Sequence, residues 1–250
     1  MVLFGVPLLM KIRLDKFLSS QLNISRNDAK KMLKNHFVKV NDSLILKADY
    51  QVDTDIDSVF CQGQKISYNQ FVYIMLNKPK GVVSSTDDNR DITVIDILPD
   101  DMKRCGLFPA GRLDKDTTGF VLITDDGDFA HKILSPSHHV MKTYIVDVSS
   151  ILSDEDIARF LEGMKTQKDS FKPAELRYLG KSEESENYSY EIKITEGKYH
   201  QIKRMFAAVG NKVIELRRIA IGEMFIDETL QPGEARFLTS EERDKIKICN

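Results

Sequence analysis

The sequence predicts an α+β protein: a small α-α-β domain, then a larger domain with a mixed, mainly antiparallel sheet flanked by helices. Three observations predict it. Leu14, Phe17, Leu18 and Leu22 recur at helical spacing ahead of a short strand–turn–strand pattern. Residues 62–70 are polar and carry no helical period. From Phe71 onward, apolar strand-like runs mix with short helical segments without a regular βαβ repeat.

In the first domain, residues 13–22 read as an amphipathic helix. Ser25 then stands as an N-cap with Asp28 three residues on. Ala29, Met32 and Leu33 form the apolar face of a second helix, while Arg26, Lys30, Lys31 and Lys34 project elsewhere. Residues 37–40, the pair Asn41-Asp42 and residues 44–46 read as strand, turn and strand. The expected division is an N-terminal extension at 1–9, the small domain at 10–62, a linker at 63–70 and the larger domain at 71–250.

In the larger domain, residues 71–76 form a buried-strand run closed by Asn77-Lys78-Pro79-Lys80-Gly81. Residues 106–110 and 120–124 are apolar runs joined by a charged, glycine-bracketed loop at 111–119. After the turn Asp125-Asp126-Gly127, a helix at 128–134 is stopped by Pro136. Residues 143–148 form another strand, and Ser153 caps a helix containing Ile157, Phe160 and Leu161. Residues 188–194 alternate as a strand does, and a helix at 199–209 ends at Gly210. Thr239 and Glu242 open a last short helix with a capping box.

Two hundred and fifty residues suffice for a sizeable core. No apolar run approaches the roughly 20 residues that span a bilayer. Residues 1–9 are apolar but lack preceding positive charge and a small-residue cleavage site. They read as a poorly ordered extension, with Met10 as an alternative start to Met1, rather than a signal peptide. Cys61, Cys105 and Cys249 are odd in number and dispersed, which points to a reducing cytoplasm without a disulfide framework.

The net charge is only −2, but it is segregated. Basic residues dominate between Lys11 and Lys39 and again between Lys198 and Arg218, a pattern that builds local fields attractive to phosphate. No Cys-x-x-Cys or His-Glu-x-x-His spacing provides a metal set, and no Gly-rich phosphate loop appears. The 111–119 loop instead offers a carboxylate, Asp114, at the rim of a sheet where a substrate can reach it.

Three pieces in order resemble the motifs of the RNA pseudouridine synthases. They are Gly111-Arg112-Leu113-Asp114, then Lys142-Thr143-Tyr144, then Gly197-Lys198-Tyr199-His200-Gln201-Ile202-Lys203-Arg204. Ahead of them, the helix–helix–hairpin unit resembles an S4 RNA-binding domain, through residues 13–18, Ser25-Arg26 and Val38-Lys39-Val40-Asn41. That order is similar to the group acting on small-subunit rRNA. The pieces Asp116-Thr117-Thr118-Gly119 and Thr124-Asp125-Asp126-Gly127 point the same way.

The resemblance implies isomerisation of a uridine to pseudouridine in 16S ribosomal RNA, at the uridine-516 site. The RNA is taken either free or in a small-subunit assembly intermediate. The reaction demands no cofactor, the residues provide no metal set and no membrane partner, and a cytoplasmic monomer is the default expectation. The reaction breaks the N1–C1′ bond, turns the base and forms a C5–C1′ bond, without redox change or net hydrolysis. Asp114 takes the essential role, whether by attacking sugar or base or by removing a sugar proton.

Lys203 falls where related branches more often carry arginine. It keeps the charge and loses the bidentate fork. Tyr144 is assigned to packing on the target base and to proton removal from C5. Arg112, Arg13, Arg26, Lys30, Lys31, Lys34, Lys198 and Arg204 are the expected RNA-binding residues. His200 is read as local structure around Lys203, and Asp116 as a loop residue diverging from Asp114. Two alternatives stand beside this reading: the same reaction on 23S rRNA, and a non-catalytic RNA-binding ribosome assembly factor.

Overall fold

The computed structural model describes residues 11–166, 169–181 and 186–246, apart from the side chain of Pro136. The extension expected at 1–9 and Cys249 lie outside the described residues. The chain divides into two compact units. One runs to Phe71 and takes in Lys103–Gly106, and the other comprises Val72–Met102 and the chain from Leu107 onward.

The first unit opens with β1 (Lys11–Arg13), α1 (Leu14–Gln21) and α2 (Arg26–Lys34). Ser25 caps α2 by accepting a hydrogen bond from Asp28 N at 3.1 Å. Then come β2 (Val38–Val40), β3 (Ser43–Leu44), β4 (Gln51–Asp53), β5 (Val59–Cys61) and β6 (Gln64–Ile66). Strands β3-β2-β5-β6 make one small sheet, and β1 pairs with β4. Leu14, Phe17, Leu18, Ala29 and Leu33 of the helices pack on Val38, Val40, Val52 and Val59 of the strands.

Residues 63–70, read from sequence as a linker, carry β6, and Tyr68 stacks on Phe17 with centroids 5.5 Å apart. An edge strand with exposed Gln64 and Lys65 shows no apolar alternation for sequence to detect. Arg104 ties Lys103–Gly106 to this unit by donating to the carbonyls of Asn69 and Gln70, both at 3.0 Å.

Asp15 is 1 % exposed and receives both Arg13, at 3.1 Å, and Arg26, at 3.0 Å. Hydrogen bonds from Arg13, then Arg26, outweigh the cost of burial and hold its carboxyl below the ordinary aspartate value. Lys31 pairs with Asp28 at 2.8 Å. Lys30 and Lys34 stand exposed on α2.

The second unit is built on a nine-stranded sheet. Its elements are β7 (Tyr73–Lys78), β8 (Phe108–Pro109), β9 (Thr118–Thr124), α3 (Gly127–Leu134), a 3-10 turn at Pro136–His138, β10 (Lys142–Val148) and α4 (Asp154–Glu162). There follow the small pair β11 (Met164–Lys165) and β12 (Ser170–Phe171), then β13 (Glu175–Lys181) and β14 (Tyr188–Ile194). The chain continues through α5 (Gln201–Ala207), β15 (Val213–Ile221), β16 (Met224–Phe225), β17 (Ala235–Phe237) and α6 (Ser240–Asp244).

The strand order is β13-β14-β10-β15-β9-β7-β17, with β8 on β9 and β16 on β15. Strands β9 and β15 run parallel, and the other sheet pairs are antiparallel. Both faces of the central strands are covered. Ile74, Leu76, Val121 and Ile123 face one core, and Met75, Phe120 and Leu122 face another. This is why β9 reads as a continuous apolar run instead of an alternating one.

The chain after β17 is fastened by Arg236, which lies 2.7 Å from Asp227 and donates two bonds, at 2.8 and 2.7 Å, to Glu242. The Arg236 bonds draw the Glu242 carboxyl down to about 2. Bonds from Thr229 and then Arg236 draw Asp227 to about 2 as well. A carboxyl with a depressed folded pKa gives stability that is present above its ordinary range and lost as pH falls through the folded value. Arg236→Met is therefore expected to lower stability at neutral pH. It should also flatten the loss of stability between about pH 4.5 and pH 2 in urea unfolding.

Candidate active site

Asp114 sits in the loop between β8 and β9, and the backbone of that loop is fixed from behind. Leu113 N donates to Ser84 Oγ at 3.1 Å, Gly81 N to Lys115 O at 2.8 Å, and Thr117 N to Asp114 O at 3.1 Å. Beneath them Lys78, fully buried at the end of β7, donates to the carbonyls of Pro79, Lys115 and Thr117 at 3.1, 3.3 and 2.7 Å. Three N–H bonds of an ammonium meet three carbonyls. No sequence signal marks this role, since Asn77-Lys78-Pro79-Lys80-Gly81 reads only as a strand end.

Burial lowers the Lys78 pKa to about 8, partly offset by Asp116 and Asp114, so the group is charged at neutral pH. Lys78→Met leaves buried carbonyls without donors and is expected to cost about 2–4 kcal/mol in urea unfolding. A lysine with a depressed folded pKa penalises the fold in full below that value and is relieved as pH rises toward its unfolded value. The wild type should therefore gain stability relative to the variant between about pH 8 and pH 10.5.

The Asp114 carboxylate, 26 % exposed, faces α5. Lys203 Nζ lies 3.2 Å from Oδ2, and His200 Nε2 lies 3.5 Å from Oδ1. Lys203 also donates to Asp116 Oδ1 at 2.6 Å. The two carboxylates, expected to diverge, thus converge on one ammonium. Burial lowers the Lys203 pKa, but the bonds it donates to Asp116 and Asp114 outweigh this, and the net value stands above that of an ordinary lysine. Asp116 is held low, first by its bond from Lys203.

Helix α5 begins at Gln201, not at 199, because His200 adopts the left-handed conformation at φ +50°. Gln201 fixes that turn. Its N donates to Lys198 O at 3.0 Å, its Oε1 accepts from Lys198 N at 3.0 Å, and its Nε2 donates to buried Glu196 at 2.9 Å. His200 and Lys203, three residues apart, then share one face.

These groups open on a recess of about 420 Å³, counted out to its solvent mouth. Its polar lining includes Arg112, Asp114, Tyr144, Lys198, His200 and Lys203. Leu113, Ile194, Ile202 and Leu216 supply apolar walls. Tyr144 comes from β10, where it pairs with Ile192 of β14 and Arg218 of β15. Arg112 is exposed at the mouth. Lys198 bonds the Ser170 carbonyl and lies 3.5 Å from Glu196.

Among the expected RNA-binding residues, Arg112 and Lys198 stand with Asp114, Tyr144 and Lys203. Arg204 does not line this recess: it pairs with Asp169, lies over Phe171 at 5.4 Å and donates to Tyr199 O at 3.0 Å. Arg13, Arg26, Lys30, Lys31 and Lys34 belong to the first unit. Two further buried bases support the second unit. Lys142 donates to Ile133 O at 3.1 Å, and Arg218 Nε donates to Phe120 O at 2.7 Å. Among the described residues, no cluster of His, Cys, Asp and Glu is arranged to hold a metal ion, and no helix is long and apolar enough to cross a membrane.

Residues 72–208 match the RNA pseudouridylate synthase family, and residues 12–55 match the S4 domain. A Bacillus subtilis protein named as an uncharacterized RNA pseudouridine synthase, YtzG, is 43% identical over 92% of this chain and 96% of its own length. The ribosomal small subunit pseudouridine synthase A of Escherichia coli K12 is 42% identical over 92% of this chain and 98% of its own. That of Haemophilus influenzae is 39% identical over 94% and 99%. A crystal structure of a pseudouridylate synthase, 38% identical, aligns with a TM-score of 0.64 over 94% of this chain and the whole of that one. With its carboxylate, aromatic and lysine gathered around one recess, and an S4 domain ahead of them, the chain belongs to the RNA pseudouridine synthase family.

Proposed function

We propose that this chain converts one uridine of small-subunit ribosomal RNA to pseudouridine, at position 516 of 16S rRNA, with Asp114 as the essential carboxylate. The observation that carries this reading is the Asp114 carboxylate held against Lys203 and His200 in a recess that also presents Tyr144. The names of the relatives from E. coli and H. influenzae support the small-subunit substrate.

The target uridine leaves its stack to enter the recess. Tyr144 packs on the base, and such stacking recovers about 1–3 kcal/mol. Asp114 then begins the exchange of N1–C1′ for C5–C1′, either by bonding to sugar or base or by taking a sugar proton. The base turns, and the C5 proton leaves as the new glycosidic bond forms; Tyr144 assists its removal. A carboxylate in either role must be ionised, and Lys203 supplies the counter-charge at 3.2 Å. Because the Lys203 pKa is raised, that counter-charge persists through neutral pH and is lost only as pH rises through the raised value.

Phosphate contacts give affinity and register. Arg112 and Lys198 make them beside the recess. Lys30 and Lys34 make them on α2, joined by Lys31 and by Arg13 and Arg26, whose side chains remain half-exposed beside Asp15. Arg204 acts behind them through the Tyr199 carbonyl. The protein works as a cytoplasmic monomer on RNA that is either free or partly assembled with ribosomal proteins.

The test is tritium release from RNA carrying 5-tritiated uridine. Small-subunit and large-subunit transcripts are compared, with and without early-binding ribosomal proteins, and modified positions are mapped by chemical sequencing. Release from small-subunit RNA at one site is the expected result. Release only from large-subunit RNA keeps the chemistry and replaces the substrate. Retained RNA binding without release from any form removes the enzymatic reading in favour of an assembly factor.

A further inference from the structure

Tyr199 is an aromatic residue that the folded chain leaves uncovered. It is 76 % exposed, in the turn that leads into α5. Among the described residues its ring meets His200, in a near-parallel stack with centroids 3.8 Å apart and planes at 18°. His200 in turn lines the recess and reaches Asp114 at 3.5 Å. The stack therefore starts beside the Asp114 carboxylate and ends in a bare ring face.

The backbone that carries the ring is also held in place. Lys198 and Gln201 close the turn through two hydrogen bonds of 3.0 Å, and Arg204 Nη1 donates to the Tyr199 carbonyl at 3.0 Å. Lys198, next to Tyr199 in sequence, and Arg112 are cations on the lining of the recess that His200 also lines. An exposed aromatic stacked on a lining residue of a recess that also carries cations fits nucleic-acid chemistry: a phosphate for each cation and a base for the ring.

We propose that Tyr199 is the platform on which the RNA base next to the target uridine stacks. This inference rests on the reading of the chain as a uridine isomerase. A uridine that leaves the RNA stack uncovers its neighbour as well as itself. Tyr144 covers the uridine inside the recess. Tyr199, one ring outward from His200, covers the neighbour and so fixes the register in which the chain is drawn in. Tyr199 is a positioning residue: it acts on substrate placement and not on the reacting atoms.

The test compares Tyr199→Ala, Tyr199→Phe and Tyr199→Trp on a small-subunit transcript in two assays. In the first, 2-aminopurine replaces the base on either side of the target uridine in turn, and its fluorescence is read on binding. Quenching at one of the two positions is expected with the wild type and with the Phe and Trp variants, and is expected to be lost with Ala. In the second, tritium release gives KM and kcat. The Ala variant should raise KM on the order of 5- to 150-fold, the range that loss of one base stack provides, with a smaller effect on kcat. Phe and Trp should restore KM.

Equal fluorescence in all four proteins, or an unchanged KM in the Ala variant, would overturn the proposal. If the wild type quenches 2-aminopurine and the Ala variant does not, but no tritium is released, stacking at Tyr199 stands and the isomerase reading fails. The fluorescence assay therefore separates the two.

Discussion

Substituting Asn for Asp114 is expected to reduce tritium release by a factor on the order of 10³ or more, with the fold and RNA affinity kept. The two side chains have nearly the same shape, so the loss reports the carboxylate charge and its capacity to bond or take a proton. The loop does not depend on that charge. It is held by Leu113 N on Ser84, by Thr117 N on the Asp114 carbonyl, and by Lys78 on the Lys115 and Thr117 carbonyls. Lys203 keeps Asp116 as a partner at 2.6 Å when Asp114 loses its charge. RNA binding, measured by filter retention or anisotropy, should change little, because the proposed phosphate contacts come from other residues. Turnover by the Asn variant within tenfold of wild type would remove Asp114 from the chemistry. An RNA-binding factor whose action needs no catalysis would show no functional loss at this position.

Much of the fold is legible because local chemistry decides it. Ser25, Ser153 and Thr239 cap helices through the hydrogen bonds that their spacing to an acidic residue promises. Asp126 caps α3 by accepting from Phe129 N, so the helix begins one residue ahead of the expected start. Strands β10 and β14 fall within a residue of their apolar runs. Strands β13 and β15 were not anticipated, because Glu175, Arg177, Glu215, Arg217 and Arg218 interrupt their patterns. Strand β13 takes its place by edge pairing with β14, which follows it, and β15 by pairing with the distant strands β9 and β10, rather than from local propensity.

The site divides along the same line. The loop bearing Asp114, the strand bearing Tyr144 and the helix bearing Lys203 each carry a local motif. The meeting of Asp116 with Lys203 joins residues 87 positions apart. The burial of Lys78 under the loop likewise depends on β7 lying beside β9. Arg204 illustrates the converse case. In sequence it is one more cation in a basic helix, and only the fold shows Asp169 and the Tyr199 carbonyl engaging it.

Gly119→Ala is expected to cost at least about 3 kcal/mol of stability, or to prevent soluble folding, and to remove turnover with it. A Cβ at this position would lie 2.2 Å from the Arg218 carbonyl oxygen and 2.9 Å from Arg217 Cγ, on a backbone with φ +94° that L side chains rarely adopt. The obstruction falls on the parallel junction of the sheet, where Thr118 and Gly119 of β9 meet Arg217 and Arg218 of β15. That junction joins β9, β7 and β17 to β15, β10, β14 and β13. Asp114 is carried on the first side of it, just before β9. Tyr144, on β10, belongs to the other, and the α5 helix bearing Lys203 leads directly into β15. The contact that only glycine allows therefore sets the carboxylate against the aromatic and the lysine. Gly127→Ala provides the control: its Cβ would meet nothing within 4 Å, and its stability should stay within about 1 kcal/mol of wild type. Urea or thermal unfolding of both variants distinguishes the two positions. A Gly119→Ala protein as stable as Gly127→Ala would mean that β9 and β15 do not meet at this register, and that the three site residues are brought together some other way.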